Sequence, residues 1–480
     1  MVFSSLTFLF LFLPLNLLVY FFAKDIKARN TVMLVFSLIF YAWGEPVYIL
    51  LLVGMTLADW YLTLKIAVNK RRPKKARLLL ASVIGLDLLL LGIFKYGTFT
   101  LANLNHLFGF PKTVPSIALP IGISFYTFQL MTYCIDVYRG EVKAQRSFKM
   151  LLLYVSMFHQ CIAGPIVRYK DVNRELENRR VTYTDIADGI NRFVTGLAKK
   201  AILANTCAAI TDKLLIADGG DFSALSTKSA LSLWVGVIAF TLQIYLDFSA
   251  YSDMAIGMGR MIGIHYLENF DYPYMSASVT EFWRRWHISL GSFFRDYLYI
   301  PLGGNRKGAV RTVFNLFVVW ALTGLWHGAS WNFVLWGIYF FIFISLEKLF
   351  LGKLLGKNRV LAHLYLLIIV FFGWILFKFE NLSDVWCVLK GMFGANVNKF
   401  SDFETLTTIK SYIIILLVSA LACTPAARNI SINLKAFSLK STGALTAFAI
   451  LQIAIPAVLL LFSVAALVGN SYNPFLYFRF

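Results

Sequence analysis

The stretch VFNLFVVWALTGLWHGASWNFVLWGIYFFIFISL, residues 313 to 346, decides the fold class. It contains no Asp, Glu, Lys or Arg, and one histidine, His327, interrupts it beside Trp326, Gly328, Ser330 and Trp331. An α-helix needs about 20 mostly apolar residues to cross about 30 Å of hydrocarbon. The stretch therefore reads as two spans, 311 to 328 and 331 to 347, joined by a short turn that holds an imidazole at lipid depth.

Windows of the same kind recur along the 480 residues, of which 59% are hydrophobic and 16% aromatic. So little polar surface cannot solvate a globule of this size. Besides the two spans above, the windows predict crossings at 5–23, 31–50, 49–66, 78–96, 116–135, 190–211, 231–250, 360–379, 411–424 and 444–468, the second and third meeting at the turn Gly44 to Pro46. The expected fold class is an all-α polytopic integral membrane protein with about 11–13 transmembrane helices. The apolar stretches 148–167 and 253–264 are short or polar-flanked and read as re-entrant or interfacial pieces. The first apolar run lacks a basic n-region and a small-residue cleavage site, so it reads as a retained span rather than a signal peptide. No soluble domain, internal repeat or low-complexity segment stands out, and residues 1–480 read as a single membrane domain.

A net charge of +20 raises the question of nucleic acid, and its placement answers it. The Lys and Arg residues crowd into short loops, at 65–77, 139–149, 168–180, 306–311, 348–359 and 428–440. That is the positive-inside pattern, whose partner is anionic inner-leaflet lipid and not nucleic acid. With these loops in the cytoplasm, the chain is expected to be a multi-pass protein with both termini extracytoplasmic. The same parity puts His327 towards the outer half of the bilayer. Cys134, Cys161, Cys207, Cys387 and Cys423 have no CxxC spacing, so neither a disulfide framework nor a zinc site is expected.

Ionisable side chains inside spans are costly, and by default they face a cavity or a functional site. Five regions qualify. In Pro120 to Gly140, Gln129 and Asp136 lie seven apart and share a helix face. In Phe158 to Tyr169, Gly164-Pro165 is expected to break a helix at membrane depth. The stretch TLQIYLDFSAYSDMAIGMGRMIG holds Gln243, Asp247, Asp253 and Arg260, the last two spaced to pair with one another. Glu281 to Gly308 is amphipathic and aromatic, contains His287, and reads as short helices dipping into the inner leaflet. The fifth region is the opening stretch.

By position alone, a lone histidine such as His327 is more often a packing residue than a catalyst. Two features point the other way. Burial keeps an imidazole neutral, which suits a general base acting on a hydroxyl. Gly324 and Gly328 also thin the helix, and are expected to leave room for a substrate. No nucleophile elbow, metal-spaced cluster or phosphate-cradling glycine loop accompanies the histidine. GGNRKG, 303–308, reads either as a basic cytoplasmic turn or as a contact to a phosphate-bearing donor. A histidine used alone as base implies transfer of an already activated group to a hydroxyl, which fits an acyltransferase better than a hydrolase.

FWRRWHISLGSFFRDYLYIPLGGNR, followed by LTGLWHGASWNFVLWG, resembles the membrane-bound O-acyltransferase (MBOAT) family, in the bacterial branch that serves O-acetylation of alginate and related polysaccharides. PIGISFYTFQ, AGPIVRY and LQIYLDFSAYSDMAIGMGRM match further blocks in order, so the resemblance covers nearly the whole chain. It implies the inner membrane of a bacterial cell, and a helix bundle with re-entrant pieces and a tunnel joining a cytoplasmic donor to an outer acceptor. The family's catalytic histidine maps onto His327 and its second polar position onto His287. Gln129, Asp136, Gln243, Asp247, Trp326 and Asn332 are expected to line or support the tunnel. The implied donor is acetyl-CoA or another acyl thioester, with no bound cofactor and no metal. The implied partner is a separate, membrane-anchored extracytoplasmic acetyltransferase, and the final acceptor is a surface polysaccharide.

The C-terminal tail, 469–480, reads NSYNPFLYFRF from Asn470 and has two readings. It is either an aromatic belt at headgroup depth or an active tail in which Tyr477 accepts the acyl group near His327 and relays it. The expected activity is O-acyl transfer across the membrane for polysaccharide O-acetylation. The rival readings are D-alanyl transfer to teichoic acid and a transporter or export subunit without bond chemistry.

Overall fold

The computed structural model describes residues 1–109, 117–161, 164–216, 223–395 and 399–469. Tyr477 and the rest of the tail beyond 469 lie outside the described residues. Among the described residues all regular structure is helical.

Each expected span coincides with a helix. Among the described residues, nine are long and apolar enough to cross a bilayer: Ile49–Val68, Pro73–Phe108, Tyr183–Leu215, Ala230–Met261, Gly308–His327, Trp331–Leu355, Arg359–Lys378, Phe403–Ala422 and Thr442–Gly469. The other three expected spans are the helices Phe8–Phe22, Ile26–Gly44 and Ile123–Arg139, which are shorter or more polar. The chain is an all-α, multi-pass membrane protein. It divides into two compact units, residues 1–193 with 252–268, and residues 194–251 with 269–480.

In the first unit, Ile123–Arg139 is buried on almost every side and carries Gln129 and Asp136, both fully buried. The region expected to be re-entrant begins as a short helix, Phe148–Ser156, continues as turns to Cys161, and is irregular chain from Gly164. Gly164-Pro165 therefore breaks no helix, because the helix has already ended at Ser156. Side chains support the irregular backbone: Ser37 Oγ accepts from the Phe158 N–H at 3.2 Å, and Tyr154 OH donates to the Val167 carbonyl at 2.7 Å. This is how non-helical backbone is tolerated at membrane depth.

Two further expectations fail here for stated reasons. Residues 253–264 are no separate apolar piece, since the helix Ala230–Met261 runs through them. Asp253 does not pair with Arg260. It bonds Arg192, which also holds Glu268, while Arg260 reaches Asp185 and Asp188. Both ion pairs tie the helix end to Tyr183–Leu215, a stronger use of charge than two residues sharing one helix face. Gly189 and Gly257 let these helices touch, because a Cβ on either would stand 2.7 Å from the other's carbonyl oxygen.

In the second unit, Gly308–His327 and Trp331–Leu355 form a hairpin around the histidine turn. They cross at Gly324 and Gly337, where a Cβ on Gly324 would lie 2.4 Å from the Phe333 carbonyl oxygen. Small residues at the crossing bring the two backbones into contact, as GxxxG spacing does in lipid. Phe403–Ala422 and Thr442–Gly469 expose most of their apolar side chains, the surface expected of helices bathed in lipid.

Candidate active site

His327 is the last residue of its helix and is almost fully buried. Its twenty-residue helix rises about 30 Å, so the ring stands a full hydrocarbon thickness from the basic loop at Arg306 to Arg311. Trp326, Trp336 and Phe377 enclose the imidazole edge to face, at centroid distances of 5.0, 4.8 and 5.4 Å. Trp336 belongs to a larger aromatic cluster with Trp283, Trp320, Phe340 and Trp374. Such tilted and perpendicular pairs each contribute about 0.5–1.5 kcal/mol beyond burial.

The room expected beside Gly324 and Gly328 is already filled. A Cβ on Gly328 would stand 2.2 Å from the Phe333 ring, and Gly324 faces the neighbouring backbone. These glycines serve helix packing, not substrate access.

His287 joins the same cage. Its ring lies 5.9 Å from that of Trp326, on whose other contact His327 sits, and Phe248 meets it perpendicularly at 4.7 Å. Among the described residues, His287 is one of two non-glycine residues of positive φ, +46°, and Tyr272, +45°, is the other. A left-handed non-glycine residue costs on the order of 1–3 kcal/mol and persists only when its surroundings hold it. Here the clamp is Asn269. Its Oδ1 accepts the Ser289 N–H at 3.1 Å and Ser289 Oγ–H at 2.9 Å, and His287 Nδ1 lies 3.2 Å from the same atom. A backbone N–H can only donate, so the shared atom is oxygen and the Nδ1 facing it carries the ring proton. Burial pushes the His287 imidazole down to about 3, which leaves a neutral ring with its lone pair on Nε2.

The remaining predicted residues divide. Asn332 is fully buried, accepts a hydrogen bond from Ser330 Oγ and donates to the Leu376 carbonyl at 3.1 Å, which anchors the neighbour of Phe377. Asp247 forms a buried ion pair with Lys200 at 2.7 Å, one residue from the Phe248 wall of His287, with Gln243 one turn earlier. Gln129 and Asp136 belong to the other unit, where Lys170 approaches Asp136 at 3.9 Å. Asn269 and Lys200 escaped the sequence reading. Lys200 follows a polar helix start and carries no motif, and Asn269 sits in a loop without periodicity. A third buried histidine, His159 in the irregular segment of the first unit, contacts Tyr266 OH at 3.3 Å.

Residues 142–354 match the model of the membrane-bound O-acyltransferase family, and both histidines of the cage lie inside that range. The chain is 39% identical to the probable alginate O-acetylase of Pseudomonas putida, with full coverage of both chains. The chain belongs to the membrane-bound O-acyltransferase family. The peptidoglycan O-acetyltransferase of Helicobacter pylori is 33% identical, over 82% of this chain and 80% of that one. The teichoic acid D-alanyltransferase of Bacillus subtilis is more distant, 27% identical over 55% of this chain and 68% of that one. The protein is accordingly an O-acyltransferase.

Proposed function

We propose that this protein carries an acetyl group from a cytoplasmic thioester, acetyl-CoA, across the bacterial inner membrane for O-acetylation of an extracytoplasmic polysaccharide such as alginate or a related exopolysaccharide. The observation that carries this reading is the burial of two histidines on one tryptophan in a single aromatic cage. Full-length similarity to a probable alginate O-acetylase supports the choice of polymer class.

In this reading His327 is the general base and His287 the neutral supporting group. His327 takes the proton of the acceptor hydroxyl, the oxygen attacks the thioester carbonyl, the C–S bond breaks, and the imidazolium returns the proton to the leaving thiolate. The first acceptor is the Tyr477 hydroxyl on the outer tail. From there the acetyl ester passes to a separate membrane-anchored transferase, and both termini are extracytoplasmic. Gln129, Asp136, Gln243, Asp247, Trp326 and Asn332 support the passage. D-alanyl transfer has less support, since the relative of that kind matches little more than half of the chain.

The test is mass spectrometry of surface polysaccharide from cells carrying the wild-type chain or His327→Ala, with membrane levels matched by immunoblot. O-acetyl groups disappear with the variant. Normal acetylation by His327→Ala refutes the assignment. Tyr477→Phe, or deletion of 474–480, gives the same loss if the tail relays the group, and normal acetylation by both removes the relay alone.

A further inference from the structure

The segment that presents His287 is held from below by a carboxylate, Glu347. This residue sits in the Trp331–Leu355 helix, sixteen positions beyond Trp331 and therefore about 24 Å along the axis from the histidine turn. It is almost buried, and both its oxygens are used: Oε1 accepts the Val279 N–H at 2.6 Å, and Oε2 accepts the Thr280 N–H at 2.8 Å and Thr280 Oγ–H at 2.6 Å. Val279 and Thr280 are the first two residues of the short helix Val279–Arg285, and the cap Ser278 takes the third N–H, that of Glu281, at 3.0 Å. The helix start is thus fully capped, two of its donors by a charge from another helix.

From this anchor the chain runs through Trp283 and Trp286, which pack into the cage, to His287 in its left-handed conformation. The same Trp331–Leu355 helix is tied at its other end to the His327 turn, through Asn332, which accepts a hydrogen bond from Ser330 Oγ, and through Phe333 against Gly328. One rigid element therefore holds both histidines, one at each end of its contacts. Charge-assisted bonds of this length are about twice as strong as neutral ones.

We propose that Glu347 is a positioning residue for the acyl-transfer site, setting the height and rotation of the His287 segment relative to His327. This rests on the reading of the two histidines as that site. A displacement of about 1 Å at a reacting group can lower turnover about 100-fold.

The test uses the full chain in lipid nanodiscs with acetyl-CoA as probe, following thiol release, alongside acetylation of polysaccharide in cells. Glu347→Ala is expected to lower kcat roughly 10- to 100-fold with KM for acetyl-CoA nearly unchanged. Glu347→Gln, which keeps one carbonyl acceptor, recovers part of the loss, and Thr280→Val, which removes one donor, gives a milder loss. If Glu347→Ala lowers only yield or thermal stability while kcat per folded molecule is normal, Glu347 is structural and the proposal fails. If that variant turns over normally while His287→Ala does not, the proposal fails and the site stands. If His287→Ala and His327→Ala both work normally, or the wild type transfers nothing in either assay, site and proposal fall together.

Discussion

Replacing Gly324 by alanine tests the geometry of the site most directly. The new Cβ would stand 2.4 Å from the Phe333 carbonyl oxygen and 3.2 Å from Gly337 Cα, where ordinary contact begins at 3.4 Å. Relief therefore takes about 1 Å of separation between the two spans, because both obstacles are backbone and neither can rotate away. Overpacking of this kind costs about 1–3 kcal/mol. The better helix propensity of alanine returns about 0.5–1 kcal/mol, so a net loss of up to about 2.5 kcal/mol is expected. Gly324 lies one turn before His327, so the same shift moves the imidazole, and turnover should fall by about 100-fold. Gly85 is the control, since a Cβ there meets nothing within 4 Å. Thermal unfolding of the detergent-solubilised protein, followed by tryptophan fluorescence, and acetyl transfer per folded molecule are the measurements. A Gly324→Ala protein as stable and active as the wild type, or a Gly85→Ala protein equally damaged, refutes the reasoning.

Breaking the buried Lys200–Asp247 pair by Lys200→Met strands a carboxylate and should cost about 3–5 kcal/mol, whereas Lys200→Met with Asp247→Leu recovers most of it; equal thermal midpoints for the single and double variants would contradict this. His287 and His159 are both pushed down to about 3, in each case chiefly by burial. Their unfolded forms take up protons below the ordinary histidine value while the folded forms do not, so stability is full above about pH 6.5 and falls as the pH drops from there. A flat melting profile over that range, or one unaltered by His159→Gln, counts against it. His265 has the opposite sign: burial lowers its imidazole, but hydrogen bonds to Glu175 and Asp185 outweigh burial and raise it. Its contribution is present below the ordinary value and lost as pH rises through the raised one, and His265→Gln should abolish that alkaline loss in the same melting series.

Crossing helices were legible because the bilayer imposes one length and one polarity on them, and the windows around His327 could be read residue by residue. His327 stood out too, as a titratable ring in an apolar run, whereas His287 sits in an amphipathic stretch and was singled out by the family resemblance. What the sequence hid is what depends on distance along the chain. Asn269 fixes the tautomer of a residue eighteen positions away, and Lys200 neutralises Asp247 from another helix. The pairing of Asp253 with Arg260 looked right by helical spacing, yet spacing says nothing of competitors, and Arg192 and Asp185 are better placed. Gly324 and Gly328 signalled closeness correctly, but a glycine states only that something approaches. Here the thing that approaches is the next helix, and GxxxG spacing was the available clue.

The two histidines differ in a way that matters for the proposed reaction. His327 ends its helix, where the last carbonyls leave a partial negative charge of about half an electron. His287 stands before the first turn of Ile288–Phe294, at the partially positive end of that short helix. Each such placement is worth about 0.3–1 kcal/mol, more where burial excludes water. A positive charge developing on His327 as it accepts a proton is thus met by a dipole aligned to stabilise it, whereas the same charge on His287 would be opposed. In the proposed reaction, the two imidazoles of one cage are thus suited to different jobs, one to take the proton and one to stay neutral and hold the geometry. This division is the pattern by which a single site separates its base from its support.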